Sequence, residues 1–401
     1  MTSKLFSKPH LIFGKAILPK ELADPRRILV IHFGNTAEAV QSVPLLVAMR
    51  NRFPYAEIAW LIGENAAPLV LDHWAINRFI VVRSDWFKHL SEIRRIRQRL
   101  QSFAPQVAVD PQNSFGSSLA AWLSDAKYRI GFGGKQRRRL HNIRVLPEPG
   151  EVHRIERNLR LLQPFGIFGS DIGFDMPECE KDRVTTRNIL HRKGLHGNFA
   201  MLYISAGNVL AQGQFAQSQF ALGSSALGSS TQGSAHWQEE RYGMVAKYLL
   251  EQWNLPSLIV WSGDESELRR AETAVHAAEG AALQAPQTTL VERKSLSKLA
   301  TIFVGSETAE LQIAAAVGTQ CIGLFAPASA LTNAPFGQEH RIVQAQQESS
   351  RKRGKQITSS EWMNAIPPEW VCEQCDEVLA EMLRPSILPM PQGQPEQRRA
   401  A

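Results

Sequence analysis

The sequence is poor in cysteine and has no long hydrophobic run. Only four of its 401 residues are cysteine, which is too few for a disulfide-stabilised fold and favours a reducing, cytoplasmic setting. No stretch approaches the roughly 18 consecutive apolar residues of a membrane-spanning helix. The N-terminus lacks the apolar segment and cleavage site of a signal peptide, so we expect none. The composition, with 44% hydrophobic and 21% charged residues, excludes collagen-like, coiled-coil and wholly disordered chains.

Acidic residues are slightly outnumbered by basic ones. The chain has 45 Lys and Arg against 38 Asp and Glu, a formal net charge of +7. An excess of this size over the whole length is mild. It permits phosphorylated ligands or an anionic membrane surface, and we expect no nucleic-acid partner.

The signatures of several enzyme classes are absent. The sequence contains no Walker A, HExxH, GxSxG or protein-kinase motif. Cys372 and Cys375 have the spacing of a redox or zinc motif, but no second pair completes a tetrahedral site. We interpret them as incidental helix-surface or packing thiols, and we predict no metal site.

Short apolar runs recur along the chain, and helical patterns alternate with them. This alternation is typical of a parallel sheet covered by helices. Strands are predicted at residues 27–33, 56–62, 79–82, 107–110 and 128–132, and again at 200–204, 257–261, 301–304 and 320–325. We therefore predict an α/β protein with two Rossmann-like domains that face a cleft.

The predicted boundaries follow this pattern and the local composition. Residues 1–26 are an N-terminal extension, residues 27–190 the first domain and residues 196–384 the second. Residues 211–235 consist largely of Gln, Gly, Ser, Ala and Phe and are predicted to be a flexible insertion. Residues 385–401, rich in Pro, Gln and Arg, are predicted to be a disordered tail.

Ligands of open α/β sheets bind beyond the carboxyl ends of the strands, and four loops fall there. Glu38 is a candidate general base if burial raises its pKa; the alternative is a carboxylate favoured by the helix dipole. Small residues at 205–208 and 305–312 would let backbone amides approach an anion. Acids at 264–267 suit ribose hydroxyls or a solvated helix end. The basic segment 135–139 suits substrate phosphates or a solvated loop.

The order of these motifs resembles the heptosyltransferase family, the ADP-heptose:lipopolysaccharide glycosyltransferases. The resemblance covers about residues 27–383 and rests on segments that keep the family's order and spacing. These are Ile28-Leu29-Val30-Ile31, Val43-Pro44-Leu45-Leu46, Val109-Asp110-Pro111-Gln112, Val260-Trp261-Ser262-Gly263-Asp264-Glu265, residues 295–305, Phe325-Ala326-Pro327 and Pro335-Phe336-Gly337.

The resemblance implies the GT-B arrangement and inverting transfer of a heptose, without a metal, from ADP-heptose to an acceptor sugar. We expect no cofactor, an ADP-sugar donor on the second domain, and a glycolipid or glycan acceptor on the first. Peripheral contact with the inner membrane stays open. The implied base is Glu38. The implied acceptor residues are Gln41, Gln112, Arg137, Arg138 and Arg139, and the implied donor residues are Ser205, Gly207, His236, Gly263, Glu265, Glu307, Thr308, Ala309 and Gln312.

Several positions depart from the family pattern where the chemistry lies. Glu38 stands where the family has Asp, and Gln41 where it has His. In the donor loop Glu307 and Ala309 flank Thr308, the one retained residue of an Asp-Thr-Gly motif, and the Lys that meets the donor phosphates has no counterpart. We expect a glycosyltransferase that transfers a heptose or related sugar. A catalytically weak or inactive relative, acting in binding or assembly, is the alternative.

Overall fold

The computed structural model describes residues 10–12, 22–133, 140–146, 152–169, 172–204, 236–326, 329–345 and 359–383. The predicted insertion 211–235 and tail 385–401 lie outside these ranges. So do five candidate site residues, which are Ser205, Gly207, Arg137, Arg138 and Arg139.

The first domain is a parallel sheet in the spatial order β1-β7-β6-β5-β2-β3-β4. Its strands are β1 (His10–Ile12), β2 (Arg27–His32), β3 (Glu57–Gly63), β4 (Arg78–Val82), β5 (Val107–Asp110), β6 (Tyr128–Phe132) and β7 (Ile143–Val145). Its helices are α1 (Thr36–Val40), α2 (Val43–Arg52), α3 (Ala67–Val70), α4 (Leu90–Phe103), α5 (Phe115–Leu123) and α6 (Arg154–Leu159), and 3-10 turns span Trp86–Lys88 and Arg160–Phe165. The predicted N-terminal extension thus contributes an edge strand, because β1 pairs with β7.

Both faces of this sheet are buried. Ile28 and Val30 of β2 pack into one apolar cluster with α2, whereas Leu29 and Ile31 pack into a second cluster with α4 and α5. Successive side chains of a strand point to opposite faces, so a strand covered on both sides needs apolar residues throughout. This explains the continuous apolar runs in the sequence.

The second domain repeats the architecture after a connecting helix, α7 (Glu180–Arg192). Its sheet has the order β10-β9-β8-β11-β12-β13. The strands are β8 (Ala200–Ile204), β9 (Ser257–Trp261), β10 (Ala282–Gln284), β11 (Ile302–Ser306), β12 (Gln320–Phe325) and β13 (Arg341–Gln344). The helices are α8 (Glu239–Trp253), α9 (Glu265–Ala277), α10 (Leu290–Leu299), α11 (Ala309–Ala316), α12 (Ala330–Asn333), α13 (Ser359–Asn364) and α14 (Pro368–Leu383). The predicted fold class, two Rossmann-like α/β domains, is confirmed.

The strand order reverses at one point in each sheet. In the first sheet β2 lies between β3 and β5, and in the second β8 lies between β9 and β11. At such a switch point the chain leaves neighbouring strands in opposite directions and opens a crevice. The carboxyl ends of β2, β5, β8 and β11 therefore lie where the fold can accept a ligand.

The cysteines of the paired motif are packing residues. Cys372 and Cys375 lie on α14, and both are buried in the apolar cluster of the second domain. This confirms their interpretation as incidental packing thiols. Within the described ranges, no group of three or more His, Cys, Asp or Glu side chains could hold a metal ion. In the same part of the chain, no helix has the length and apolar character needed to cross a bilayer.

Candidate functional site

Glu38 lies on α1, directly beyond the carboxyl end of β2. Asn35 caps this helix, since its side-chain oxygen accepts a hydrogen bond from the Glu38 backbone N–H at 2.8 Å. The Glu38 side chain is buried, and its Oε2 lies 3.5 Å from Nε2 of His32 at the end of β2. The cap and the strand end together fix the carboxylate at the switch point of the first sheet.

Arg154 is the closest ionic partner of Glu38, and the sequence did not indicate it. Its guanidinium NH1 donates to Glu38 Oε1 at 2.8 Å. Burial by itself raises the pKa of Glu38, but the hydrogen bond with His32 and the charge of Arg154 outweigh it and lower the pKa to about 2. The sequence-based condition for Glu38 as a general base, a net pKa raised by burial, is therefore not met in this arrangement. The carboxylate is firmly ionised and weakly basic in this arrangement.

Arg154 also reaches the second domain. Its NH2 is 3.4 Å from the side-chain oxygen of Asn333, the last residue of α12. Asn333 in turn donates to Glu307 Oε1 at 2.8 Å. One residue before Arg154, the His153 ring nitrogen lies 2.8 Å from the Ala334 carbonyl. The start of α6 thus links the candidate base to the candidate donor loop.

A second contact between the domains joins two predicted site residues. Gln41, expected on the acceptor side, donates from Nε2 to Oε1 of Gln312, expected on the donor side, at 3.1 Å. Gln312 then donates to the Asn333 carbonyl at 2.7 Å. Both glutamines are buried, although 271 positions separate them in the chain. The fold therefore brings the two sets of predicted residues together.

The loop after β11 carries three of the predicted donor residues. Thr308 is the N-cap of α11, and its hydroxyl accepts from the Leu311 N–H at 3.3 Å. Ala309 is the first residue of this helix. Burial raises the pKa of Glu307 above its ordinary value, because hydrogen bonds from Ser329 and Asn333 do not fully offset the loss of solvation. The loop presents a capped helix end beside a carboxyl group whose pKa is raised by burial.

The loop after β9 is ordered by a glutamate other than the predicted one. Glu265 is exposed and pairs with Arg269 at 3.2 Å. Glu267 is buried and accepts hydrogen bonds from the backbone N–H of Ser262, at 2.8 Å, and from its hydroxyl. Gly263, which follows Ser262, adopts a φ of +114°, a region that favours glycine.

The helical spacing of the residues in α9 indicates which of the two glutamates is buried. Glu267, Ala271 and Ala274 are the buried residues of α9 and share one helix face. Reading that spacing along the sequence would have placed Glu267, and not Glu265, against the domain.

Gln112 connects the loops that follow β2 and β5. Its side-chain oxygen accepts from the Phe33 N–H at 2.9 Å. The preceding Asp110 is fully buried, lies 3.0 Å from the His141 ring and accepts from the Asn113 N–H at 2.8 Å, which shapes the turn. A Cβ atom on Gly34 would lie 3.1 Å from Glu38 Oε2. The carboxylate and the glutamine therefore line a tightly fitted first-domain side of the cleft.

A second arginine of α6 faces the same region. The Arg157 guanidinium lies over the Phe132 ring, 4.2 Å from its centroid. Burial and the like charge of Arg154 lower the pKa of Arg157 to about 10, while Glu38 and Asp110 oppose that shift. Arg157 is therefore still cationic at neutral pH and sits on the predicted acceptor side.

His236 lies just before α8 of the second domain. It is half-buried and directly precedes Trp237. The indole N–H of Trp237 donates to the Ile366 carbonyl at 2.9 Å, which anchors this segment against the region before α14.

Comparison with known sequences assigns the family. The model of glycosyltransferase family 9 (heptosyltransferase) matches residues 93–363. The chain belongs to glycosyltransferase family 9. The matched region contains α6 and the loops after β9 and β11, whereas Glu38 lies before it. No curated protein sequence matches the chain.

Solved structures show the same fold for this family 9 chain at low sequence identity. A family 9 glycosyltransferase from Veillonella parvula is 16% identical, with a TM-score of 0.69, over 90% of this chain and 98% of that one. The E. coli heptosyltransferase WaaC with ADP is 16% identical, with a TM-score of 0.65, over 88% and 99%. The E. coli ADP-heptose lps heptosyltransferase II is 18% identical, with a TM-score of 0.66, over 89% and 99%.

Proposed function

We propose that this family 9 protein is a cytoplasmic enzyme that transfers a heptose or related sugar from an ADP-sugar to a lipopolysaccharide-type or other glycan acceptor. The observation that carries the proposal is the chain of contacts from Glu38 through Arg154 and Asn333 to Glu307. It sets a carboxylate of one domain against the donor loop of the other. The similar solved structures include one with ADP and one named for ADP-heptose, which supports the choice of donor.

The proposed reaction is a single displacement with inversion. Glu38 accepts the proton of the acceptor hydroxyl, whose oxygen attacks the anomeric carbon as the bond to the diphosphate breaks on the opposite side. Arg154 donates to Oε1 at 2.8 Å, whereas His32 lies 3.5 Å from Oε2, so the hydroxyl is assigned to the more weakly held Oε2. A base with a pKa of about 2 lies far below the value that suits proton transfer near neutral pH. Arg154 must therefore turn away from Glu38 when substrates bind.

The departing ADP is assigned to the N-terminus of α11. Backbone N–H groups and the dipole at a helix N-terminus favour an anion there, and Thr308 caps this end. Arg154 lies between Glu38 and Asn333 and, once released from Glu38, supplies positive charge near the leaving group. The proposal uses no metal ion and no cofactor apart from the donor.

The acceptor is assigned to the first domain, beside Gln112 and Arg157. The adjoining helix α4 exposes Arg94, Arg95 and Arg97 to solvent. Such a basic surface is attracted to anionic lipid headgroups. We therefore include peripheral contact with the inner membrane in the proposal.

The test is a donor screen by mass spectrometry with purified protein, a glycolipid acceptor and ADP-, UDP- and GDP-sugars. We expect a product from an ADP-sugar, and we expect Glu38→Gln to slow its formation by about 100-fold or more, since a positioned general base contributes about that much. Glu279→Gln is the matched control, because Glu279 belongs to no predicted site and makes only a surface ion pair, with Lys247. Transfer by Glu38→Gln at the unchanged rate would show that the base is wrongly assigned.

A binding or assembly protein is the second candidate, and one observation favours it. Arg154 holds Glu38, and Gln41 holds Gln312, so the centre of the cleft is closed by hydrogen bonds. Calorimetry with ADP-heptose separates the two candidates. Binding without turnover would support this second function, whereas absence of binding would contradict the transferase.

A further inference from the structure

A cavity of about 230 Å³ lies where the segment before α7 meets α10. Its charged lining consists of Arg183 and Arg187 of α7, Lys294 and Lys298 of α10, and Glu178. None of the residues that connect Glu38 to Glu307 lines it. It is therefore a site distinct from the cleft, and four cations and one carboxylate form its charged wall.

Lys294 is the buried cation of this cavity, with 5% of its surface exposed. Its ammonium group donates to the Pro177 carbonyl at 2.7 Å and to the Leu69 carbonyl at 3.2 Å. An ammonium group has three donors, so one donor is left for a further acceptor. Among the described residues no carboxylate lies within 4 Å of it. Burial lowers its pKa, as expected for a charge without a close counter-ion.

The other cations of the wall differ in how fully they are paired. Lys298 pairs with Glu178, and Arg183 pairs with Glu180. The Nε of Arg183 is nevertheless buried without a hydrogen-bond partner. Arg187 is exposed, and no carboxylate of the described chain lies within 4 Å of it. Unused donors of Lys294, Arg183 and Arg187 therefore line one cavity.

We propose that this cavity binds a phosphate group, either free or carried by a small metabolite. A doubly charged oxyanion offers several acceptor oxygens, which matches one ammonium and two guanidinium groups better than a single carboxylate does. Glu178, Glu180 and the neighbouring Asp182 reduce the net positive charge. They favour a small anion that is held by direct hydrogen bonds over a long polyanion that is attracted only by the field.

The position of Lys294 gives such a ligand a structural consequence. Leu69 belongs to α3 of the first domain, and Pro177 belongs to the segment between the domains. Lys294 of α10 donates hydrogen bonds to both carbonyls and so connects three parts of the molecule. The adjacent Arg293 pairs with Glu310 of α11 at 3.1 Å. A phosphate bound at Lys294 would therefore stabilise the contact of the domains beside the helix that carries Thr308.

The test is isothermal titration of the full chain with inorganic phosphate, pyrophosphate and a sugar phosphate. We expect saturable binding of at least one of them and, for Arg187→Gln, a dissociation constant about tenfold higher, the size of effect expected on removal of a charged hydrogen-bond partner. Arg192→Gln, also exposed and on α7 but outside the lining, is the matched control and should bind unchanged. Tightest binding of inorganic phosphate would identify free phosphate as the ligand, whereas tightest binding of the sugar phosphate would identify a phosphorylated metabolite.

Two further measurements keep the test independent of folding and of the transferase proposal. Arg154→Gln alters the cleft and should leave phosphate binding unchanged, whereas Lys294→Met should abolish it, with circular dichroism to confirm that this variant is folded. Hydrogen exchange should slow at residues 176–187 and 290–299 when ligand is added. The proposal is overturned if the wild type binds none of the three anions, or if Arg154→Gln abolishes binding and Arg187→Gln does not. Neither result depends on ADP-sugar binding.

Discussion

His32 and Arg154 together outweigh the effect of burial on the charge state of Glu38. The carboxylate is mostly enclosed, which alone would favour its protonated form. Instead the guanidinium at 2.8 Å and the His32 ring hold it ionised, with a pKa of about 2. The hydrogen bond with His32 and the charge of Arg154, which lies 116 positions away, thus keep the candidate base as a paired anion.

This pairing predicts how stability depends on pH. The pKa of Glu38 is lowered from 4.5 to about 2, so its contribution is present above about pH 4.5 and is lost as the pH falls towards 2. At about 1.4 kcal/mol per pKa unit, this contribution is about 3 kcal/mol. We expect Arg154→Leu to remove part of it, because the hydrogen bond with His32, a larger cause of the lowered pKa, remains. Urea unfolding of the wild type and the variant at pH 6 and pH 3 measures the difference.

The control for this experiment is Arg269→Leu. Arg269 pairs with the exposed Glu265, and an exposed ion pair adds little to stability, so its pH dependence should match that of the wild type. If Arg154→Leu also lost as much stability as the wild type between the two pH values, the ion pair would not control the pKa of Glu38.

At the scale of elements, the two helices that cover the second sheet approach each other closely. Gly243 of α8 faces α9, and a Cβ atom at this position would lie 2.6 Å from both the Ala274 carbonyl oxygen and the Ala277 Cβ. No side chain fits at that distance without moving a helix. The glycine therefore sets the spacing between α8 and α9.

Gly243→Ala tests this close approach. In an open helix the change from Gly to Ala stabilises by about 1 kcal/mol, but here we expect a loss of roughly 1–3 kcal/mol from overpacking. The free energy of unfolding in urea measures it. Gly197→Ala is the control, because nothing lies within 4 Å of a Cβ atom there. A Gly243→Ala variant as stable as the wild type would mean that the helices are not in such close contact.

At the scale of the whole molecule, the two domains are joined by buried polar contacts and by apolar packing. Ile313 and Ala316 of α11 belong to the apolar cluster of the first domain. Gln41 and Gln312 form a buried hydrogen bond across the cleft. Lys294 of the second domain donates a hydrogen bond to the Leu69 carbonyl of the first domain. Together these contacts hold the cleft closed in the arrangement observed.

A double-mutant cycle of Gln41→Ala and Gln312→Ala tests the contact across the cleft. We expect a coupling free energy of about 1 kcal/mol in urea unfolding, which is typical of a buried neutral hydrogen bond. The exposed pair Gln101 and Asp125, within the first domain, is the reference and should show coupling near zero. A coupling near zero for Gln41 and Gln312 would indicate that the domains separate in solution.

The sequence alone determined the central strands of the two sheets and the chain segments that follow them, whereas the short strands β1, β7, β10 and β13, at or next to the sheet edges, were not predicted. Strand and helix patterns are local, because a strand buried on both faces must be apolar along its length, as in residues 200–204 and 257–261. Those patterns placed Glu38, Gln312 and Thr308 at strand ends and helix starts, where the structure has them. The assignments of Glu38 as a base and of the donor and acceptor residues remain predictions.

Only the tertiary structure decided which of these residues meet and with what charge. Arg154 lies on a short helix that follows no strand end of the predicted pattern, so nothing local marks it as the partner of Glu38. The cavity at Lys294 is formed by the connecting segment with α7 and by residues of the second domain that are more than 100 positions away. Contacts between distant residues and the solvation of a charge arise from packing in three dimensions, and local spacing in the sequence does not encode them.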